Sequence, residues 1–435
     1  MLKTIHQAAA ALREGTTTPI DLVEQCLTQI DAYEENVRAW VLVDRDLARK
    51  EANARLAELK AGVRRSELHG IPIAIKDIID VFDWPTACGS NQWANAIPRY
   101  DAEIVRRLRA AGAIFLGKTA TTAYASFDPP ATRNPWNLAH TPGGSSSGSA
   151  AAPATLMCLG AIGSQTGGSI TRPASYCGVA GCKPTYGLVP LDGIMPLAHS
   201  MDHPGPMARC VRDLEILLNV IQNPPPVRYD EEVELPPRLA MVRGLFEDLA
   251  EPAMRDAFGV AIETLRKAGA VIEEFVLPAE FGDVLRQHRI VMAVEAAQFH
   301  RNRLERHPNE YPPNIRKLLD EGIACPAPDY ASAKMHQQRL SAFMRAAIDD
   351  RTVIAPAATG PAPSVETTGN PAFNSPWSFT GLPVVSFPIA FAPNGLPLAI
   401  QFAAGEYREP QLFHIAEWCE QAIGFDIGLP PRPRS

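Results

Sequence analysis

The chain has 435 residues, 46% apolar and 20% charged, the balance of a globular protein with a sizeable buried core. Its 41 basic and 48 acidic residues leave a formal charge of -7. That argues against nucleic acid or an anionic membrane as the main partner, since both reward clustered Lys and Arg, and says nothing against a small molecule.

In chain order, MLKTIHQAAAALREGTTTP lacks the unbroken apolar core and cleavage pattern of a signal peptide. Leu2, Ile5, Ala9 and Leu12 recur there at helical spacing instead. PIDLVEQCLTQIDAYE and DRDLARKEANARLAELKAG are both amphipathic, and Gly62 is placed to stop the second helix. GIPIAI (70–75) reads as a buried strand, DAEIVRRLRAAG (101–112) as a helix capped by Asp101 and closed by Gly112, and AIFLG as the next strand. From residue 131 to about 190 Gly, Ser and Pro dominate, but apolar segments separate the paired glycines, so this reads as an ordered, loop-rich core. QNPPPVRYDEEVELPP (222–237) is the best subdomain junction. RLAMVRG, helices to about 350, TVIAPAA, GLPVVSFPIAF and GLPLAIQFAA follow. Alternating strands and helices predict an α/β fold.

The longest apolar stretch, AAAPATLMCLGAIG (150–163), is too short to span a membrane and is broken by Pro153. Eight cysteines without a CxxC pair point to reduced thiols and a cytoplasmic protein. Cys177 and Cys182 have a spacing that allows pairing, but read as buried thiols.

Two short motifs match in letter only. GAIFLGKT (112–119) fits the phosphate-loop pattern, yet a helix precedes Gly112 and apolar strand residues fill the place of an amide-rich loop. GSSSG (144–148) fits the nucleophile elbow of α/β-hydrolases around Ser146. That elbow joins a strand to a helix and needs a histidine such as His199, His203 or His414, whereas RNPWNLAHTP before it is poor strand material.

Three other features belong together. Lys76 ends the strand IPIAI; burial would lower its pKa and make it a general base, although a strand-end lysine ordinarily snorkels to water or pairs with a neighbour such as Asp77. In PGGSSSGSAAA (142–152) the serines suit helix caps at Ser146 or Ser147, while the glycines let a hydroxyl approach another segment closely. In IGSQTGGSITRP (162–173) the run TGGS would present successive backbone N–H groups around Ser169, as an oxyanion requires.

This order, from GIPIAIKD through PGGSSSGSAAA to GSQTGGSITRPASYCGVAGCKPTYGLVP, closely resembles the amidase signature family of serine hydrolases. Similarity continues in GIMPLAHSMDHPGPMARCVRDLEILL and FNSPWSFTGLPVVSFPIAFAPNGLPLAIQ, and the layout looks most like the malonamidase branch. The resemblance implies one domain over 1–435, a large mixed β-sheet covered by helices on both faces, and a smaller subdomain at about 236–350. It makes Lys76 the catalytic lysine, Ser145 the bridging serine on a cis peptide bond, and Ser169 the nucleophile. The backbone amides of Thr166, Gly167, Gly168 and Ser169 become the oxyanion hole. No cofactor or metal is implied. One departure is Gln165, where many members carry Asp; Gln can still donate and accept hydrogen bonds to the serine loop.

Arg172, three residues after Ser169, would hold a substrate carboxylate, or else pack before Pro173 against a structural acid. The expected activity is hydrolysis of a small amide, such as a malonamate-like one bearing a carboxylate. The alternatives are aryl-amide, ester or carbamate hydrolysis on the same triad, and the glutamine-hydrolysing subunit of a tRNA-dependent amidotransferase. The expected partner is a small-molecule amide, with a homodimer left open.

Overall fold

The computed structural model describes residues 1–225, 233–348 and 351–433, so the middle of the 222–237 junction lies outside the described residues. Eleven strands are described: β1 (Trp40–Val43), β2 (Pro72–Lys76), β3 (Ile114–Thr119), β4 (Gly160–Gln165), β5 (Ala180–Lys183), β6 (His203–Ala208), β7 (Arg238–Val242), β8 (Val271–Phe275), β9 (Thr352–Pro356), β10 (Val384–Phe391) and β11 (Pro397–Ala403). The helices are α1 (Ile5–Glu14), α2 (Pro19–Val37), α3 (Arg45–Lys60), α4 (Glu103–Ala110), α5 (Ser147–Ala154), α6 (Thr171–Cys177), α7 (Val211–Ile221), α8 (Leu245–Asp248), α9 (Pro252–Lys267), α10 (Val284–Arg306), α11 (Pro313–Ala324), α12 (Ala327–Ala347), α13 (Ser375–Thr380) and α14 (Glu409–Ile423).

All eleven strands join one mixed sheet in the order β1-β3-β2-β4-β6-β5-β10-β11-β9-β7-β8. The trio β3-β2-β4 runs parallel, the centre from β4 to β9 is antiparallel, and β9-β7-β8 is parallel again. Every residue of β2 to β6, β9 and β11 is buried, so both faces of the central sheet are covered. Helices α5, α6, α7, α9 and α14 supply much of that cover. The 236–350 stretch adds β7 and β8 to this same sheet, while α11 and α12 each pack on α10, and α10 and α12 reach α13. No described helix is long and apolar enough to cross a membrane.

Local chemistry explains several boundaries. Thr18 and Asp21 form a reciprocal capping box at the start of α2, with Pro19 in the first turn. Two expected caps are different. Asp101 does not cap α4: its carboxylate accepts from Phe82 N–H at 2.8 Å and from Arg109 Nε at 2.9 Å, leaving Ala102 at the cap. Ser146 occupies the N-cap position of α5, but neither its hydroxyl nor that of Ser147 makes a capping bond. Ser147 Oγ donates to Gly143 O at 2.6 Å, and Ser146 Oγ exchanges bonds with Ser164 O and N at 3.1 and 3.2 Å. These hydroxyls stitch loops together because the helix start lies in the core, where loop carbonyls need donors. All eight cysteines are free thiols, Cys177 and Cys182 among them.

Candidate active site

The parallel trio sets the site. Lys76 is the last residue of β2, flanked by β3 and β4, and its side chain is fully buried. Its Nζ lies 2.7 Å from Ser145 Oγ and 2.8 Å from Ser164 Oγ. Burial lowers the lysine pKa to about 7, against an upward pull from the Asp202 carboxylate. Lys76 is thus held by hydroxyls and poised to be neutral.

Ser145 precedes α5, and the Gly144–Ser145 peptide bond is cis. Gly143 has a φ of 82°, and a Cβ there would stand 2.8 Å from the Pro173 backbone. Arg172 Nη2 donates to Gly144 O at 2.8 Å, and Ser146 N–H donates to Ser169 O at 3.3 Å. The segment carrying Ser145 is therefore pinned directly to the one carrying Ser169.

Thr166 to Ser169 connect β4 to α6. Their four backbone N–H groups have no acceptor among the described residues. Gln165 buttresses the turn: Oε1 accepts from Ile170 N, Thr171 N and Thr171 Oγ1 at 2.9 to 3.1 Å, and Nε2 donates to Ser378 Oγ at 3.2 Å. Gly168 is required by proximity, since a Cβ there would meet Asn374 Oδ1 at 2.8 Å. The Ser169 hydroxyl makes no hydrogen bond among the described residues, to Ser145 or otherwise. It lines a cavity of about 260 Å³ with Gly167, Gly168, Arg172, His288 and Asn370.

Arg172 is 1% exposed and has no acidic partner among the described residues. Among the described residues it reaches Thr368 Oγ1, at 3.4 Å, besides Gly144 O, and its buried Nε and Nη1 have no acceptor there. Burial pushes its pKa down to about 10, so it stays charged near neutrality. Among the described residues the other charged group lining this cavity is also cationic, Arg289, paired with Glu321 at 2.8 Å.

Sequence reasoning missed Ser164, Asp202, His288, Asn374 and Ser378. Asp202 accepts from Thr166 Oγ1 and from Leu197 N at 2.9 Å, and burial raises its pKa to about 6. His288 Nε2 donates to Thr166 O at 2.9 Å. Ser164, Asp202, Asn374 and Ser378 lie within the segments that carry the family resemblance, but nothing local to them points to the turn they support, and His288 lies outside those segments. His199 is exposed on a loop, and His203 packs in β6 with Nδ1 2.6 Å from Met201 O. Neither rejected motif has the required geometry. Lys118 is buried against Asp77 at 3.1 Å, and no strand leads into Ser146.

The model of the amidase family matches residues 21–413. A glutamyl-tRNA(Gln) amidotransferase subunit from Syntrophus aciditrophicus is 34% identical over 478 aligned positions, covering 96% of each protein. A crystal structure of an amidase superposes with a TM-score of 0.89 at 30% identity, covering 97% of this chain and 100% of that one. The native peptide amidase of Stenotrophomonas maltophilia gives 0.85 at 28% identity, covering 99% and 98%.

Proposed function

The chain belongs to the amidase signature family of hydrolases acting on C–N amide bonds, and on that footing we propose that it hydrolyses a small carboxylate-bearing amide through Lys76, Ser145 and Ser169. The observation that carries the chemistry is the 2.7 Å contact between a buried, poised lysine and the hydroxyl on the cis peptide. Neutral Lys76 takes the Ser145 proton as Ser145 takes that of Ser169, whose oxygen attacks the substrate carbonyl. The N–H groups of Thr166, Gly167, Gly168 and Ser169 receive the oxyanion. The proton returns through Ser145 to the leaving amine, the C–N bond breaks, and water hydrolyses the acyl-Ser169. The Ser145–Ser169 hydrogen bond closes as substrate enters, as such bonds commonly do.

The substrate reading rests on Arg172. A buried guanidinium with two unpaired nitrogens, in a cavity lined by no acid, favours an anionic group on the substrate, in the manner of the malonamidase branch. Glutamine hydrolysis as one component of a tRNA-dependent amidotransferase is the second reading, drawn from the 34% identity to a protein of that name.

Ammonia release across an amide panel containing malonamate, glutamine, neutral aliphatic amides and aryl amides separates these readings. Intact-mass labelling with a fluorophosphonate should place one label on Ser169. Label on Ser146, or full activity in Ser169→Ala, overturns the triad. Arg172→Ala should raise KM for carboxylated amides at least ~10-fold while sparing neutral ones, the worth of one charge-assisted pair. Equal loss on both classes reduces Arg172 to a support for Gly144.

A further inference from the structure

Three consecutive carbonyls in the TGGS turn are each held by a donor, two of them from distant parts of the chain. Thr166 O accepts from His288 Nε2 at 2.9 Å, Gly167 O from Ser378 Oγ at 2.9 Å, and Gly168 O from Arg172 N–H at 3.1 Å. In a trans peptide the C=O and the following N–H point in opposite directions across a rigid plane. Fixing the oxygen of each plane therefore aims the N–H of the next residue. The three N–H groups so aimed belong to Gly167, Gly168 and Ser169, which have no acceptor among the described residues and line the cavity. The third of these bonds is a backbone contact inside the signature segment, but the first two come from side chains far outside it.

From this geometry we infer that His288 and Ser378 are positioning residues that set the oxyanion-binding direction of the Gly167 and Gly168 amides. The inference rests on the proposed oxyanion role of those amides and extends it to α10 and α13. His288 suits the task. It is 3% exposed, and because a carbonyl can only accept, Nε2 carries the proton and the tautomer is fixed. Burial lowers its pKa to about 4, so it stays a neutral donor, not a second base. Its ring stands edge-on to Phe379 at 6.3 Å, one residue beyond Ser378, so α10 and α13 meet beside the turn. Ser378 is itself oriented by Gln165 Nε2 at 3.2 Å, which leaves its own proton for Gly167 O. Backbone amides alone would be free to rotate, and an oxyanion hole works only when its donors are fixed before charge develops.

The test follows phosphonylation of Ser169 in the full-length protein by a fluorophosphonate, whose P=O oxygen occupies the same cradle. Rate and saturation are read by intact mass in wild type, His288→Leu, His288→Gln and Ser378→Ala. Loss of the bond that aims one donor should lower the maximal rate ~10-fold, less than the ~10²–10³-fold that deleting an oxyanion donor outright costs, with half-saturation changed less than about twofold. Glutamine can donate to Thr166 O, so His288→Gln should recover to within about threefold of wild type. Wild-type rates in both His288→Leu and Ser378→Ala, or equal losses in the Leu and Gln variants, overturn the inference. Should His288→Leu fail to fold, the smaller Ser378→Ala change decides alone. An unlabelled wild-type Ser169 would instead defeat the functional reading, and this inference with it.

Discussion

Asp77 follows Lys76 in the chain, yet its carboxylate is paired at 3.1 Å with Lys118, one strand away on β3. Both partners are buried; burial raises the Asp77 pKa and lowers that of Lys118, and each partner's charge opposes the other's shift. The pairing engages the carboxylate next to Lys76 in the chain, while the hydrogen bonds of Lys76 itself go to the Ser145 and Ser164 hydroxyls. Two buried lysines on adjacent strands thus have opposite fates, one neutralised by an ion pair and one poised to lose its proton.

Lys118→Met should strand the Asp77 carboxylate in the core. Breaking a buried pair by removing one partner costs about 3–5 kcal/mol, whereas removing both charges is close to neutral. Urea unfolding should therefore find Lys118→Met strongly destabilised and Asp77→Asn/Lys118→Met largely restored. A single variant within about 1 kcal/mol of wild type would mean the pair is not desolvated.

Lys76 predicts the pH dependence of turnover. The base must be neutral, and its pKa is lowered to about 7, so kcat should rise with pH and reach half its plateau near 7. Lys76→Ala should lose roughly 10²–10⁴-fold, the usual contribution of a positioned base, and lose the acid limb with it. Stability carries the same signature. The unfolded chain binds more protons than the folded one between about 7 and 10.5, so wild type should gain stability over Lys76→Met as pH rises through that window. A pH-independent kcat would remove Lys76 from the relay.

The long, specific order of segments from GIPIAIKD to GSQTGGSITRP singles out Lys76, Ser145 and Ser169 as candidates, and the fold places Lys76 against Ser145. Strands such as β10 and β11 were legible from their apolar runs. Side-chain destinations were not. Asp101 has the position and chemistry of a cap, but Arg109 and Phe82 N–H compete for it across the fold. The partner of Asp77 depends on which strand lies beside β2, and a sequence does not show strand order. His288 lies on a helix of 23 residues whose pattern marks a packing face and nothing about the turn it reaches, 122 positions away.

Gln165, the departure from the common Asp, should matter as a hydrogen-bonding group and not as a charge. Gln165→Leu leaves the buried Ile170 and Thr171 N–H groups without their acceptor, and each such orphan costs about 1–3 kcal/mol. Thermal unfolding should detect that loss, together with slower labelling of Ser169. Gln165→Glu retains the acceptor oxygen and gives up only the donor to Ser378, so it should be the milder variant. Equal stability of the Leu variant and wild type would show that the turn is held by its neighbours alone.

Asp202 supplies a second handle on the base. Its carboxylate raises the Lys76 pKa by stabilising the protonated amine, in opposition to burial. Asp202→Asn removes that charge and keeps one oxygen for the Thr166 hydroxyl or the Leu197 and Ala198 N–H groups. The neutral lysine should then persist to lower pH, and the acid limb of kcat should move downward. Thr166→Val is the matched control, since it removes the hydroxyl contact while leaving the carboxylate in place. Its limb should stay where it is in wild type even if its rate falls. An Asp202→Asn limb that stays put or moves upward would show that this carboxylate does not act on Lys76, leaving burial and the two serine hydroxyls to set its proton affinity.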